Sequence, residues 1–282
     1  MAIETYTSVP SLAGVYARAA LPGATSGDTI PDTTLVLTGQ TVDRSHLLSY
    51  QRLCGFDGSD TLPHTYPHVL GFALQATLMS RKQFPLPMVG LVHVENVITV
   101  HRALTADDVL DVSVRAEGLR PHAKGQQVDL VTEVDVAGER VWEGRSTYLK
   151  RGRGDADAPR GEAPPATPTG APAARWRLAG GLGREYAAVS GDVNPIHLSR
   201  LTARAMGFPS AIAHGMWTYA RVLGAIGPRS SGPSTSHVWF KKPVLLPTTV
   251  DLVLDPAARP VVAGLRSTRK PDVEHLVLTL DA

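Results

Sequence analysis

The chain has 282 residues, 43% of them apolar and 19% charged, with one cysteine and a net charge of +2. The composition is that of a folded globular protein rather than a disordered one, and the length allows two domains or one large one with a core that needs no disulfide or metal. The lone Cys54 excludes an internal disulfide and any multi-cysteine zinc site, and 28 basic against 26 acidic residues argue against a nucleic-acid partner held on a strongly basic face.

In chain order, Thr33–Thr38 reads as an apolar strand, Val42–Cys54 as a polar–apolar helical stretch, residues 55–58 (GFDG) as a turn and His68–Arg81 as an apolar helix. Four strands follow at Val89–His101, Val109–Ala116, Gln127–Val136 and Glu139–Lys150, with clean alternation at Val128, Leu130, Thr132, Val134 and Val136. Residues 152–175 are rich in Pro, Gly and Ala and lack Val, Ile, Leu, Met and aromatic residues. They cannot build a packed core, and the expectation is an extended, mobile linker between segments 1–151 and 176–282.

Beyond the linker the order of signals repeats. A strand at Arg175–Ala179 precedes a helical stretch near Gly183–Val189, a glycine turn, a second apolar helix at His214–Ile226, and strands at His237–Lys241, Thr248–Leu254, Pro260–Leu265 and Val273–Leu280. Tyr50-xxxx-Gly55 aligns with Tyr186-xxxx-Gly191 at an offset of 136. Both apolar helices are hydrophobic on nearly every face, which places them inside the molecule. A buried helix followed by antiparallel strands implies a sheet wrapped around that helix, and two tandem copies can pair their sheet edges. The alternative is two unrelated α+β units.

The densest chemistry lies at Asp192, Asn194 and His197, framed by Gly191 and Pro195. Glycine permits an unusual backbone angle and proline fixes one, so the loop holds three polar side chains at one point. Asp and His together can hold a water and exchange protons with it, and Asn can orient either. His214-Gly215 opens the second apolar helix, where free N–H groups and partial positive charge suit an oxyanion beside a thioester. An acid/base pair with an oxyanion hole and no nucleophile fits proton abstraction beside a carbonyl, or addition and removal of water across the adjacent double bond. No GxSxG elbow, Walker loop or GxGxxG fingerprint occurs. His64 and His68 are four apart, but Pro63 and Pro67 interrupt the helix that metal binding at this spacing requires, and no metal is expected there. Cys54 reads as a small buried apolar residue. Arg151, Arg153, Lys241 and Lys242 read as solvated strand ends, with a lesser possibility that one pair meets the phosphates of a coenzyme A or carrier-protein arm.

The run Tyr186-xxx-Ser190-Gly191-Asp192-x-Asn194-Pro195-Ile196-His197, with Ala203 and Gly207-Phe208 after it, resembles the hydratase 2 motif. That is the signature of the MaoC-like (R)-specific enoyl-CoA hydratases and (3R)-hydroxyacyl-thioester dehydratases, and His214-Gly215 is similar to the start of that family's central helix. Length and linker resemble its actinobacterial double hotdog members. The resemblance implies an α+β double hotdog with a degenerate N-terminal repeat (1–151), the linker (152–175) and a catalytic C-terminal repeat (176–282). It implies that Asp192 and His197 handle the water and the C2 proton of an acyl-CoA or acyl-ACP thioester, that Asn194 supports them, and that the Gly215 N–H binds the thioester oxygen. Tyr186, Gly191 and His214 fall to the substrate-binding wall, and no metal, nucleotide or flavin is implied.

At the offset of 136, Asp192 falls on Phe56 and His197 on Thr61, so the N-terminal repeat is expected to have lost catalysis and kept binding. The small residues Gly71 and Ala73 on its helix are expected to leave space for the acyl chain. A thioesterase on the same fold, or a non-catalytic acyl-thioester-binding subunit, are the other readings. With no signal peptide pattern and no apolar run of ~18 to 20 residues, the expected location is the cytoplasm. Two repeats in one chain suffice for a monomer, although exposed sheet or helix surfaces leave room for a homodimer.

Overall fold

The computed structural model describes residues 2–19 and 27–282. An N-terminal arm contributes β1 (Ala2–Tyr6) and α1 (Leu12–Ala19). The first repeat follows as β2 (Thr33–Gln40), α2 (Arg44–Cys54), α3 (Tyr66–Met79), β3 (Leu91–Val100), β4 (Leu110–His122), β5 (Gly125–Val136) and β6 (Glu139–Arg151). The second comprises β7 (Ala174–Leu178), α4 (Leu182–Ser190), the short helices α5 (Pro195–Leu198) and α6 (Arg200–Ala205), α7 (Gly215–Ile226), β8 (Ser234–Phe240), β9 (Thr248–Asp255), β10 (Val261–Ser267) and β11 (Glu274–Asp281). Both halves share the order strand, helix, buried helix, four strands, and the short helices α5 and α6 occur in the second alone among the described residues. The arm was not anticipated.

Local chemistry sets the boundaries. Asp43 caps α2 by accepting from the N–H groups of Ser45 (2.7 Å) and His46 (3.3 Å), and Gly55, left-handed at φ 75°, ends it. Gly191 ends α4 in the same way, at φ 72°. Proline in the first turn of α3 removes an N–H that has no acceptor within the helix. Every residue of α3 except Leu70 is buried, as a helix apolar all round requires.

Among the described residues the strands join one eleven-stranded sheet in the order β1-β2-β4-β5-β6-β3-β8-β11-β10-β9-β7. The repeats meet at β3 and β8, antiparallel from Glu95↔Trp239 to Val100↔Ser234. This pairing removes the edge each repeat would expose alone. Every strand pair is antiparallel except β1 with β2, which run parallel. Two buried helices wrapped in tandem by antiparallel sheet make the expected α+β double hotdog. Side chains also bridge the repeats: the rings of Tyr50 and Tyr186, equivalent positions in the repeat, lie 6.3 Å apart, and His64 bonds Ser236 Oγ at 2.5 Å.

The linker is irregular up to Ala173, and its last two residues belong to β7. It is held by hydrogen bonds to the strands rather than loose. The Glu162 carbonyl accepts from Trp239 Nε1 (3.1 Å), Thr167 Oγ1 donates to Glu274 (2.6 Å), and Arg266 donates to the Gly170 carbonyl (2.9 Å). Short side chains let it lie flat on the sheet.

Candidate active site

The centre is built from the loop that leaves α4. Gly191 turns the chain, and Asn194 caps α5 by accepting from the Ile196 N–H (3.4 Å). The first turn of α5 then delivers His197 inward, buried. α4 packs so tightly on this turn that a Cβ at Gly183 would lie 2.0 Å from the His197 carbonyl oxygen.

His197 Nδ1 donates to the Ile212 carbonyl at 2.8 Å, which leaves Nε2 as the acceptor of a neutral ring. Its ring stacks on His214, with centroids 3.6 Å apart. His214 is the N-cap residue of α7, and its Nε2 donates to the backbone carbonyl of Asp192 at 2.9 Å. Asp192 Oδ1 accepts from the Tyr16 hydroxyl (3.0 Å) and the Asn194 N–H (3.1 Å). Its Oδ2 lies 3.8 Å from His214 Nε2, beyond hydrogen-bonding distance.

Electrostatics separate the partners. Burial alone raises the Asp192 pKa, but His214, His197, the Asn194 N–H and the Tyr16 hydroxyl outweigh it and hold the carboxyl below its usual range. Burial pulls His197 down against the charge of Asp192, and pulls His214 to about 3. At neutral pH the site holds a carboxylate beside two neutral imidazoles. Asp192, His197 and His214 each place a ligand-type atom within 4.8 Å of the others, a spacing that could admit a metal ion. The two imidazoles, however, are stacked and only 24° from parallel, so their ring edges run side by side instead of converging on one point.

These groups open on a cavity of about 330 Å³ built from both repeats. The first repeat contributes His68 and Phe72 from α3, His93 from β3 and Tyr148 from β6. Burial depresses His68 to about 4 and His93 to about 3, so this wall is polar but uncharged. The second contributes Phe240 and the start of α7. Gly215 is the first residue of α7, so its N–H has no acceptor within the helix. A Cβ there would come within 3.1 Å of the Phe240 ring. Lys124, Arg151, Lys241 and Lys242 lie at the cavity's lining, with Lys241 paired to Glu274 at 2.7 Å.

The cavity thus gathers Asp192, Asn194, His197, His214, Gly215 and Tyr186, and Gly191 turns the loop beside it. It does not gather Gly71 or Ala73. Gly71 faces the sheet, where a Cβ would stand 2.7 Å from Thr132 Cγ2, and the Ala73 carbonyl accepts from Thr77 within α3. The α3 side chains that line the space are His68, Val69 and Phe72, and Gly71 stands at a helix–sheet contact. Trp217 is core, its Nε1 donating to the Leu53 carbonyl at 3.1 Å. Cys54 is buried, and its thiol is pushed up to about 12 by burial. Sequence reasoning missed Tyr16, His93, Tyr148 and Phe240. The spacing of Leu12, Val15, Tyr16 and Ala19 has the i, i+3, i+4, i+7 pattern of a helix, but nothing in it points to Asp192.

Residues 182–266, from α4 into β10, match the family model described as a MaoC like domain. The chain is 38% identical over 240 residues to 3-hydroxyacyl-thioester dehydratase X of Mycobacterium tuberculosis, covering 84% of this chain and 85% of that one. A crystal structure of HtdX from the same organism superposes with a TM-score of 0.78 at 35% identity, over 88% of this chain and 99% of that one. An acyl-ACP thioesterase from Bacteroides thetaiotaomicron shares the fold alone, at 10% identity and a TM-score of 0.52 over 88% and 96% of the two chains.

Proposed function

The chain belongs to the MaoC-like family of 3-hydroxyacyl-thioester dehydratases, and from that premise we propose that Asp192 and His197 interconvert (3R)-hydroxyacyl and trans-2-enoyl thioesters in its cavity. The observation that carries this reading is the meeting of a carboxylate, a neutral imidazole with a free Nε2 and the N-terminus of α7 in one cavity.

In dehydration the thioester oxygen sits on the Gly215 N–H. There the free N–H and the positive end of α7 stabilise the charge that builds up as C2 loses its proton. The pair begins with two vacant acceptors, Oδ2 of Asp192 and Nε2 of His197. It therefore takes the C2 proton and returns it to the departing C3 hydroxyl as water. Hydration is the same path reversed: the pair holds the water, transfers one of its protons to C2 and leaves the hydroxyl on C3. Asn194 keeps Asp192 in place through its backbone N–H. Tyr186 and His214 form the wall beside the pair, their rings 4.9 Å apart.

The N-terminal segment, 1–151, is read as the binding repeat, with Val69 and Phe72 rather than Gly71 and Ala73 against the acyl chain, and 176–282 as the catalytic one. The cations at Lys124, Arg151 and Lys242 suit the phosphate of the thioester's phosphopantetheine arm, whether coenzyme A or carrier protein supplies it. Arg151, the last residue of β6, and Lys242 are exposed, as expected of solvated strand ends, and both border the cavity. Among the described residues no helix is long and apolar enough to cross a membrane.

The test is the conjugated enoyl-thioester absorbance on addition of trans-2-enoyl-CoA, followed by chiral analysis of the product. Loss of the band with an (R)-3-hydroxyacyl product is the expected result. A released thiol with the double bond intact would point instead to a thioesterase, and binding without reaction to an acyl-thioester-binding subunit.

A further inference from the structure

We propose that Tyr16, supplied by the N-terminal arm that precedes β2, is a positioning residue that selects Oδ2 of Asp192 as the oxygen that handles protons. The inference rests on the reading of Asp192 as an acid/base group. Its geometry is specific. The Tyr16 hydroxyl donates to Oδ1 of Asp192 at 3.0 Å, and the Asn194 N–H donates to the same oxygen at 3.1 Å. Two donors on Oδ1 leave Oδ2 the less committed oxygen, and a hydrogen bond to the ionised form favours ionisation.

The arm is held where this contact needs it. β1 pairs with β2 from Ala2↔Thr33 to Tyr6↔Leu37, and Arg81, just past α3, grips Glu4 through two bonds of 2.7 and 2.6 Å. Val15 of α1 is buried in the core. Leu12 lies over the turn that precedes Asp192, so close that a Cβ at Gly191 would be 2.4 Å from its Cδ1. Tyr16 also borders a smaller space of about 40 Å³ beside Phe72, Met79, Met88, Tyr148 and Asp192. Burial and the charge of Asp192 both raise the Tyr16 pKa, so the phenol remains a donor throughout the working pH range.

The titratable groups that sense Asp192 are His68 on α3, His93 on β3, Tyr148 on β6, Tyr186 on α4, His197 on α5 and His214 at the start of α7. Burial holds the four imidazoles in their neutral form at neutral pH and the tyrosines carry no charge there. Removing the Tyr16 hydroxyl therefore takes away one of the two donors on Oδ1 of Asp192.

The experiment compares the full-length wild type with Tyr16→Phe, Asp192→Asn and the double variant, reading kcat and KM for enoyl-CoA hydration across pH, with thermal unfolding alongside. Tyr16→Phe keeps the ring and is expected to unfold as the wild type does. Its kcat should fall about tenfold to a hundredfold, the loss of a hydrogen bond to a charged group, with KM little changed. The acid limb of its kcat/KM profile should move to higher pH, and the double variant should be no slower than Asp192→Asn. An unmoved acid limb, or a loss that multiplies with that of Asp192→Asn, overturns the proposal while leaving the hydratase reading intact. Wild-type activity in Asp192→Asn alone overturns the reading of the site, and the role of Tyr16 with it.

Discussion

Gly183→Ala sets two opposing effects against each other at the active site. Alanine in place of glycine inside α4 gains up to about 1 kcal/mol of helix propensity. The added methyl, however, would stand 2.0 Å from the carbonyl oxygen of His197 and 2.9 Å from its carbonyl carbon. Both obstacles are backbone, so neither can rotate away. Relief requires α4 and α5 to separate by more than an ångström, and overpacking of this kind costs about 1–3 kcal/mol, occasionally more. The clash wins. A net loss of up to about 2 kcal/mol corresponds to a fall of up to about 8 °C in Tm. Activity should suffer more than stability, because the displaced turn carries His197, and a misplacement of ~1 Å at a catalytic group costs on the order of a hundredfold. Thermal unfolding and enoyl-CoA hydration measured on the same preparation test this. Gly14→Ala is the control: a Cβ there meets nothing within 4 Å, so only the propensity gain remains. A Gly183→Ala protein as stable and as active as the wild type would refute the close approach of α4 to the turn that carries His197.

Gly71→Ala should destabilise the protein by crowding Thr132 and lower activity equally for short and long enoyl thioesters; a selective loss on long ones would restore the acyl chain to that position. Charge reversal at Lys124 or Lys242 should raise KM for acyl-CoA and weaken its dependence on ionic strength, leaving kcat nearly unchanged; an unaltered KM in salt titrations would remove the phosphate arm from this rim. Stability should fall on acidification. His64, His68, His93 and His214 are depressed to between about 3 and 4 by burial, while the unfolded chain titrates near 6.5. Between those values the unfolded state binds protons that the folded state refuses. Each histidine therefore removes up to about 1.4 kcal/mol per pH unit as the pH drops below 6.5. Denaturant titrations at pH 7.5, 6.5 and 5.5 check this, and a flat stability across them would contradict the buried neutral histidines.

The tandem fold was legible because its signals are local and periodic. Alternation in β5, the all-apolar α3 and α7, and the Tyr-xxxx-Gly pair that ends α2 and α4 each follow from short-range geometry. The loop at Asp192 was legible for a similar reason: Gly191, Asn194 and Pro195 shape the backbone themselves, and that shape brings Asp192 and His197 together. What could not be read are contacts between distant segments. Tyr16 reaches Asp192 across 176 residues, and His93 and Tyr148 enter the cavity from strands whose alternation says only which residues share a face. Gly71 shows the converse. A small residue on a buried helix marks a close neighbour, and the sequence does not say whether that neighbour is a ligand or, as here, the sheet.

The most direct test of the account is the rate of trans-2-enoyl-CoA hydration by Asp192→Asn and His197→Gln beside the wild type. Both variants should bind substrate, keep their fold and lose orders of magnitude in kcat, because each removes one of the two acceptors that handle the same proton. If either retained wild-type kcat, the proton would be passing through another group and the assignment of this pair would be wrong.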